Sequence, residues 1–513
     1  MKHAALVIAF ASFFTAAAAF ADDAPAAGAK SASPPAQASP APASASDSVT
    51  HHTVQIDGKP YAYSATAGTI TLKNGKGEST ASMFYVGYTL DGVTDRSRRP
   101  VTFLYNGGPG SSTVWLRMGS FGPKRVIVSQ GQMTPGAPFE LVDNQYSLLD
   151  KTDLVFVDAV GTGFSKIIKG EGKDFYGVDP DIRAFGQFVQ RYVTQNNRWN
   201  SPKFLFGESY GTPRTAGLVN LLQNDGVQIN GIVLLSSVIN FMEFVGGDGN
   251  DEQFIGYLPT EAAIAWYHHK VPNRPNDIAT FLGPVKQFAV GEYADALTHG
   301  SWVSSTERDD VVHKLHAYTG ISEQFIRDAN LRIQPGEFEK QLLHTQGRIT
   351  GRLDARFIGI DTSRTGEFPD YDPADTSFSG AYVALFNEYV RSDLDYHTDA
   401  LYKPTNYPEV GNNWDIDHKV DGNDYPIADL MPDLRDAMSQ NPRLKVFSAN
   451  GYYDMATPFF ATDYMFAHLG IDPSLQKNVT YGYYESGHMV YLNVPALAAF
   501  KADLSRFYDS AVP

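Results

Sequence analysis

The chain of 513 residues has no cysteine, and that absence removes several chemistries at once. No disulfide can staple the fold, no thiolate can serve as nucleophile or zinc ligand, and no cysteine can accept a lipid. Positive charge is scarce too: 41 Lys+Arg face 57 Asp+Glu, giving a formal net charge of −16 with no compensating basic run. A surface that tracks nucleic-acid phosphates is therefore not expected. Beyond the N-terminus, no apolar run approaches a membrane span; "GIVLLSSVINF" has about half the length needed. Two acidic loops, "GGDGNDE" and "DIDHKVDGND", invite a calcium reading but have no recognised ligand spacing, so no metal and no cofactor is expected.

What is present supports a globular enzyme. With 43% hydrophobic and 13% aromatic residues, the chain can bury one large core or two modest ones. Residues 1–21 carry Lys2, an apolar stretch from Leu6 to Ala18 and the small-residue site Ala19-Phe20-Ala21, the pattern of a secretory signal peptide. Export to a periplasm or the medium is expected, with no stable membrane anchor after cleavage. Residues 22–50 are almost entirely Ala, Pro and Ser and read as an extended linker.

From His51 onward, "HTVQI", "YAYSAT", "TITL" and "ASMFYVGYTL" are short β-rich pieces between Gly/Asn/Asp turns, expected to form antiparallel strands. The pattern then changes to near-continuous apolar runs: "VTFLY", "DLVFVD", "KFLF", "GIVLLSS", "LKVFSA" and "VTYGYY". Such runs suit strands buried on both faces. Helical stripes separate several of them. "DPDIRAFGQFVQRYV" places Ile182, Phe185, Phe188, Val189 and Tyr192 on one side, with Asp179 as the expected N-cap and Pro180 in the first helical position. "VPALAAFKADLSRFY" follows the same plan with Pro495. The expected fold class is α/β, a largely parallel sheet covered on both faces. The first part of the core occupies 51–240 and the second 433–513. Between them, 241–432 reads as a mainly helical cap insertion over the carboxyl ends of the strands.

The stretch "KFLFGESYGTPR" carries the chemistry. A buried strand, a sharp Gly-x-Ser-x-Gly turn and a following helix make a nucleophile elbow, with Ser209 forced into strained backbone and its hydroxyl exposed. A second "GES" in "GKGESTAS" lacks the last glycine and leads into a strand, so Ser79 is a loop serine. A serine hydroxyl needs an imidazole in reach, and the imidazole needs a carboxylate to hold its tautomer. In α/β-hydrolases these follow the serine in the order acid, then histidine, on loops after later strands. "RLKVFSANGYYDMATP" offers Asp454 and "NVTYGYYESGHMVY" offers His488. His51 and His52 border the linker, while His268, His269, His313 and His316 lie in cap helices without matching acids. One oxyanion amide is expected from Tyr210, the residue after the nucleophile. The other is expected from the glycine-rich turn in "VTFLYNGGPGSSTVW".

Taken together, "LYNGGPGSS", "DLVFVDAVGTGFS", "FLFGESYG", "NGYYDMATP" and "SGHMVYLNVP" resemble the serine carboxypeptidase family, acid-active α/β-hydrolases that remove C-terminal residues from peptides. The resemblance runs in order from about Pro100 to the C-terminus and is weakest in the cap. "VGTGFS" also resembles part of a dinucleotide fingerprint, but without the third glycine it is better explained as this family's marker.

The resemblance implies a triad of Ser209, Asp454 and His488 and an oxyanion hole formed by the N–H groups of Gly108 and Tyr210. It further implies that Asn106 and Glu208 recognise the terminal carboxylate of a peptide substrate. Two carboxyls can pair only if one holds a proton, so the site is expected to favour acid, with Glu208 pushed upward by the substrate's like charge. The sequence departs from the family pattern at Leu104, Ser111, Ser120 and Gly211-Thr212-Pro213-Arg214. Arg117 or Arg214 is a candidate replacement in carboxylate binding. An esterase or acyltransferase on the same scaffold is the alternative function, and a non-catalytic binding protein a remote one.

Overall fold

The computed structural model describes residues 47–512 except Asp248, Asn273 and Asp421. The signal peptide and all but the last residues of the linker lie outside the described residues. The principal sheet contains β1 (Ser48–Ile56), β2 (Lys59–Lys73), β3 (Ser79–Leu90), β4 (Val101–Tyr105), β5 (Asp153–Val157), β6 (Lys203–Glu208), β7 (Gly231–Leu235), β8 (Lys445–Gly451) and β9 (Val479–Tyr484). Their spatial order is β1-β2-β3-β5-β4-β6-β7-β8-β9, with a two-residue strand, Lys166–Ile167, paired to β3 off this path. The first three strands and the β3–β5 pair are antiparallel. All pairings from β5 through β9 are parallel. "YAYSAT" and "TITL", read separately from sequence, are one 15-residue strand, β2; Gly68 between them continues the ladder opposite Tyr85 instead of turning it.

The longer helices are α1 (Val178–Gln195), α2 (Gly211–Asn224), α3 (Glu252–Tyr267), α4 (Ile278–Phe288), α5 (Ser305–Thr319), α6 (Pro373–Ser392), α7 (Met431–Gln440), α8 (Phe459–His468) and α9 (Val494–Ala511). Alternation along each parallel strand sends neighbouring side chains to opposite faces. Phe103 of β4 thus joins Ile182, Phe185, Phe188 and Leu218 of α1 and α2. Leu104, next to it, joins Leu497, Phe500 and Leu504 of α9. Each such buried Leu or Phe contributes about 1.5–3 kcal/mol. A third cluster, built from α3, α4 and α5, includes Tyr453 and Met455 after β8, so the helices of the insertion share a core with that loop.

The expected N-cap of α1 is a correction. The helix begins at Val178 behind Gly177, so Asp179 sits in its first turn and Pro180 is its third residue, not its first. The Asp179 carboxylate instead meets His418 at 2.7 Å, and Asp433 at the start of α7 meets the other ring nitrogen at 2.9 Å.

Candidate active site

Ser209 follows β6 with φ of 59°, a left-handed conformation that is strained for a residue with a side chain. The turn is closed on all sides. A Cβ on Gly207 would lie 2.0 Å from the carbonyl oxygen of Gly211, and one on Gly211 would lie 2.9 Å from that of Tyr105. The Ser209 N–H donates to the Leu235 carbonyl, while the Ser209 carbonyl accepts from both the N–H and the hydroxyl of Thr212. Every residue from Lys203 to Val219 is buried except Ser209. One hydroxyl is thus presented at the head of α2.

Asp454 follows β8 and His488 follows β9. Nδ1 of His488 lies 2.8 Å from Oδ2 of Asp454, and both residues are buried. The N–H groups of Ala456 and Thr457 donate to Oδ1 of Asp454, and the Thr457 hydroxyl donates to Oδ2 at 2.7 Å. A carboxylate with so many donors is held in one orientation, leaving Nε2 of His488 as the free ring nitrogen. The Ser236 hydroxyl, one residue beyond the Leu235 carbonyl that anchors Ser209, donates to the His488 carbonyl at 2.7 Å. The histidine loop is thereby tied to the strand end beside the elbow. Burial works against the imidazolium, but Asp454 and then Glu208 outweigh it and hold the His488 pKa above its ordinary value.

The oxyanion turn follows β4. Gly107 is needed for close approach: a Cβ there would lie 2.3 Å from the Tyr210 nitrogen. Gly108, at φ of 108°, occupies backbone that a side chain would strain. A segment of the insertion straps this turn in place, with Asn406 N–H donating to Gly110 and Ser112 N–H donating to Pro404.

Glu208, the last residue of β6, is only 2% exposed, so its carboxyl is held away from water. Burial is the main cause that raises its pKa to about 7; His488, the Tyr491 hydroxyl and Asn106 pull it down. The upward push thus exists without a substrate. Tyr491 donates its hydroxyl to Oε2 of Glu208 at 2.9 Å. Asn106 accepts the Leu116 N–H through Oδ1, which turns its amide nitrogen toward Glu208 and Tyr491.

Neither candidate arginine replaces a carboxylate-binding group. Arg214 is buried, donates through Nε to Asp181 at 2.6 Å and through Nη1 to the Asn106 carbonyl at 2.8 Å, and lies over Phe185. It braces the backbone of Asn106. Arg117 is buried over the Phe386 ring and donates to the Tyr402 hydroxyl. Ser120 donates to the Leu116 carbonyl of its own turn, and Leu104 is packed in the core.

Two features escaped sequence reasoning. Tyr491 stands three residues after His488 in the quoted "SGHMVYLNVP", and that proximity was the available signal. The other is "GRLDAR", residues 351–356 of the insertion, which grips both later loops. Met455 N–H donates to the Arg352 carbonyl at 3.0 Å and His488 N–H to that of Leu353 at 2.6 Å. Ala355 N–H donates to Tyr453, and Gly487 N–H donates to Oδ2 of Asp354. Arg356 pairs with Asp354 and donates to the Ser486 hydroxyl. No group of three or more metal-ligating side chains exists among the described residues.

A strained serine elbow, a buried acid–histidine pair and a glycine turn on a largely parallel sheet define an α/β-hydrolase. A family profile described as serine carboxypeptidase matches residues 59–490. The chain belongs to the serine carboxypeptidase family and is a serine-type carboxypeptidase by that membership. Among solved structures, Kex1(delta)p, a prohormone-processing carboxypeptidase from Saccharomyces cerevisiae, is similar at a TM-score of 0.52 and 17% identity, over 87% of this chain and 91% of that one. A proline iminopeptidase from Mycobacterium smegmatis aligns at a TM-score of 0.36 and 13% identity, over 90% and 98%. No curated protein matches the chain.

Proposed function

We propose that the protein is an exported carboxypeptidase that hydrolyses the last peptide bond of its substrates through an acyl-enzyme and favours acidic pH. Ser209 attacks the scissile carbonyl while His488 takes its proton through Nε2, with Asp454 holding the ring. The N–H groups of Gly108 and Tyr210 receive the oxyanion. His488 then returns the proton to the leaving amine, and water repeats the sequence to free Ser209 and the shortened peptide. Asn106 and protonated Glu208 receive the terminal carboxylate, so the substrates are peptides with a free C-terminus.

The observation that carries this reading is the buried Glu208 carboxyl directly before Ser209, contacted by Asn106 and Tyr491 and with its pKa at about 7. Below that pH a neutral acid can donate to a substrate carboxylate; above it, two anions oppose each other. Export rests on residues 1–21, and the purified mature chain is expected to begin at Asp22.

Turnover of an N-blocked dipeptide and its C-terminal amide, compared between pH 4 and 8, tests the function. Strong preference for the free acid below neutrality is expected, and equal turnover would overturn carboxylate recognition in favour of an esterase or acyltransferase. Labelling by a serine-reactive fluorophosphonate, lost in Ser209→Ala, is expected alongside; no labelling of the wild type would indicate a non-catalytic protein.

A further inference from the structure

The principal sheet ends on an edge without charge. β9, "VTYGYY", pairs with β8 on one side, and among the described residues no strand pairs with the other. The Tyr484 carbonyl accepts the Tyr452 N–H, so the backbone groups of residues 480, 482 and 484 are the ones that serve β8. Those of Tyr481 and Tyr483 point outward, and neither residue makes another backbone hydrogen bond among the described residues.

Free edges are ordinarily blunted by lysine, proline or a bulge. β9 has no lysine or proline, and its register against β8 runs without a shift. β1, at the opposite edge, carries His51, Thr53 and Gln55 at exposed positions, with Val49 the apolar exception. On β9 the exposed residue is Tyr481, at 41%. Its ring lies nearly parallel to that of Tyr483 at 6.4 Å, and Tyr483 nearly parallel to Tyr452 at 5.9 Å. Phe466 of α8 flanks Tyr481 at 5.5 Å, and Asp463 of α8 accepts the Tyr483 hydroxyl. The exposed ring therefore stands on a braced aromatic row.

Charge waits at the two ends. Lys477 lies four positions before Tyr481 and Glu485 four positions after it, both exposed and neither in an ion pair among the described residues. Glu485 receives only the Tyr453 hydroxyl, at 3.4 Å. An antiparallel copy centred on Tyr481 would set Tyr481 opposite itself and Tyr483 opposite Val479. It would also bring Lys477 to the end that holds Glu485 of the second copy. These facing residues are the outward ones, as a hydrogen-bonded antiparallel pair requires. The Val479 N–H stays with the Gln476 carbonyl, so the bonds run from each Tyr481 N–H and each Tyr483 N–H. A centre one residue away would oppose groups already spent on β8.

We propose that this edge docks a second copy of the chain, the two β9 strands pairing antiparallel about Tyr481 in a symmetric dimer with one continuous sheet. A six-residue edge is about 20 Å long, so α8 and α9 on the two faces supply the remaining contact and the association is modest in strength. The pairing requires no catalysis by Ser209.

Sedimentation velocity of the purified chain from about 1 to 100 µM, in about 150 mM salt, tests this. The wild type should show a monomer–dimer equilibrium. Tyr481→Lys places two like charges at the symmetry axis and should raise the dimer Kd by about tenfold or more. Lys477→Glu and Glu485→Lys should each raise it by about threefold to tenfold, and the double exchange should return it to within about twofold of wild type. Only this register makes those two positions mutual partners. Both are surface residues, so the exchange remains a test even if Tyr481→Lys fails to fold. A chain that stays monomeric throughout, a dimer that Tyr481→Lys leaves intact, or a double exchange that restores nothing would each overturn the proposal.

Discussion

Tyr491 and Glu208 meet at 2.9 Å, the phenolic hydroxyl donating to Oε2 of a carboxyl that has almost no contact with water. The hydrogen bond favours the ionised acid while burial opposes it, and burial wins, leaving the pKa at about 7. Because His488 and Glu208 each influence the other's proton affinity, they titrate as a pair. Protonating Glu208 removes one of the charges that stabilise the imidazolium. A proton taken up by the acid therefore makes His488 easier to keep as a base.

Glu208→Gln is expected to flatten the pH dependence of KM for a blocked dipeptide acid. In the wild type KM should climb as pH rises through about 7, because the carboxyl there loses the proton it donates. An amide donates at every pH. Michaelis curves from pH 4.5 to 8.5 check this, and a profile identical to wild type would remove Glu208 from substrate binding.

Tyr491→Phe should move the same transition to higher pH. The hydroxyl lowers the Glu208 pKa, so its removal raises it further and extends tight binding toward higher pH. A hydrogen bond to a charged group of about 1.5 kcal/mol corresponds to roughly one pH unit. The measurement is the midpoint of KM against pH; a downward shift would contradict the assigned donor direction.

The residues that were legible in the sequence are those whose neighbours along the chain dictate their geometry. Gly207 and Gly211 force the turn around Ser209 whatever the rest of the molecule does, and the apolar runs leading to Asp454 and His488 mark the strands that deliver them. Contacts made across the chain were not legible. Arg214 reads as a free cation near the elbow, yet it is claimed by Asp181, 33 positions away, and by the Asn106 carbonyl. Asp179 has the form of an N-cap, but His418, the first residue of a short antiparallel strand in the insertion, takes its carboxylate. Hairpin boundaries failed for a milder reason, since Gly68 has the composition of a turn and the register of a strand.

The "GRLDAR" clamp predicts a separation of binding from chemistry. Asp354 is fully buried, holds the Gly487 N–H next to His488, and neutralises Arg356. Asp354→Asn keeps the shape and removes the charge, leaving Arg356 buried without its counterion, at a cost of about 3–5 kcal/mol. Thermal unfolding should show this loss. If the variant still folds, kcat should fall by an order of magnitude or more while KM changes little, because the imidazole is displaced and the Asn106–Glu208 pair is not. A change confined to KM would argue against the clamp.

His418 supplies the clearest link between pH and stability. It lies buried between Asp179 at the start of α1 and Asp433 at the start of α7. Burial disfavours its charged form, but the two carboxylates outweigh that and raise its pKa to about 9. A group whose pKa is raised on folding stabilises the native state fully below its unfolded value of about 6.5. That contribution declines as pH rises and is gone above the folded value. The wild type should therefore lose thermal stability between pH 6.5 and 9.5 by more than His418→Gln does, and His418→Gln should already be less stable at pH 6. Calorimetric melting of both proteins across that range is the check. Parallel Tm curves for the two would mean that the imidazolium between these carboxylates contributes nothing to the fold.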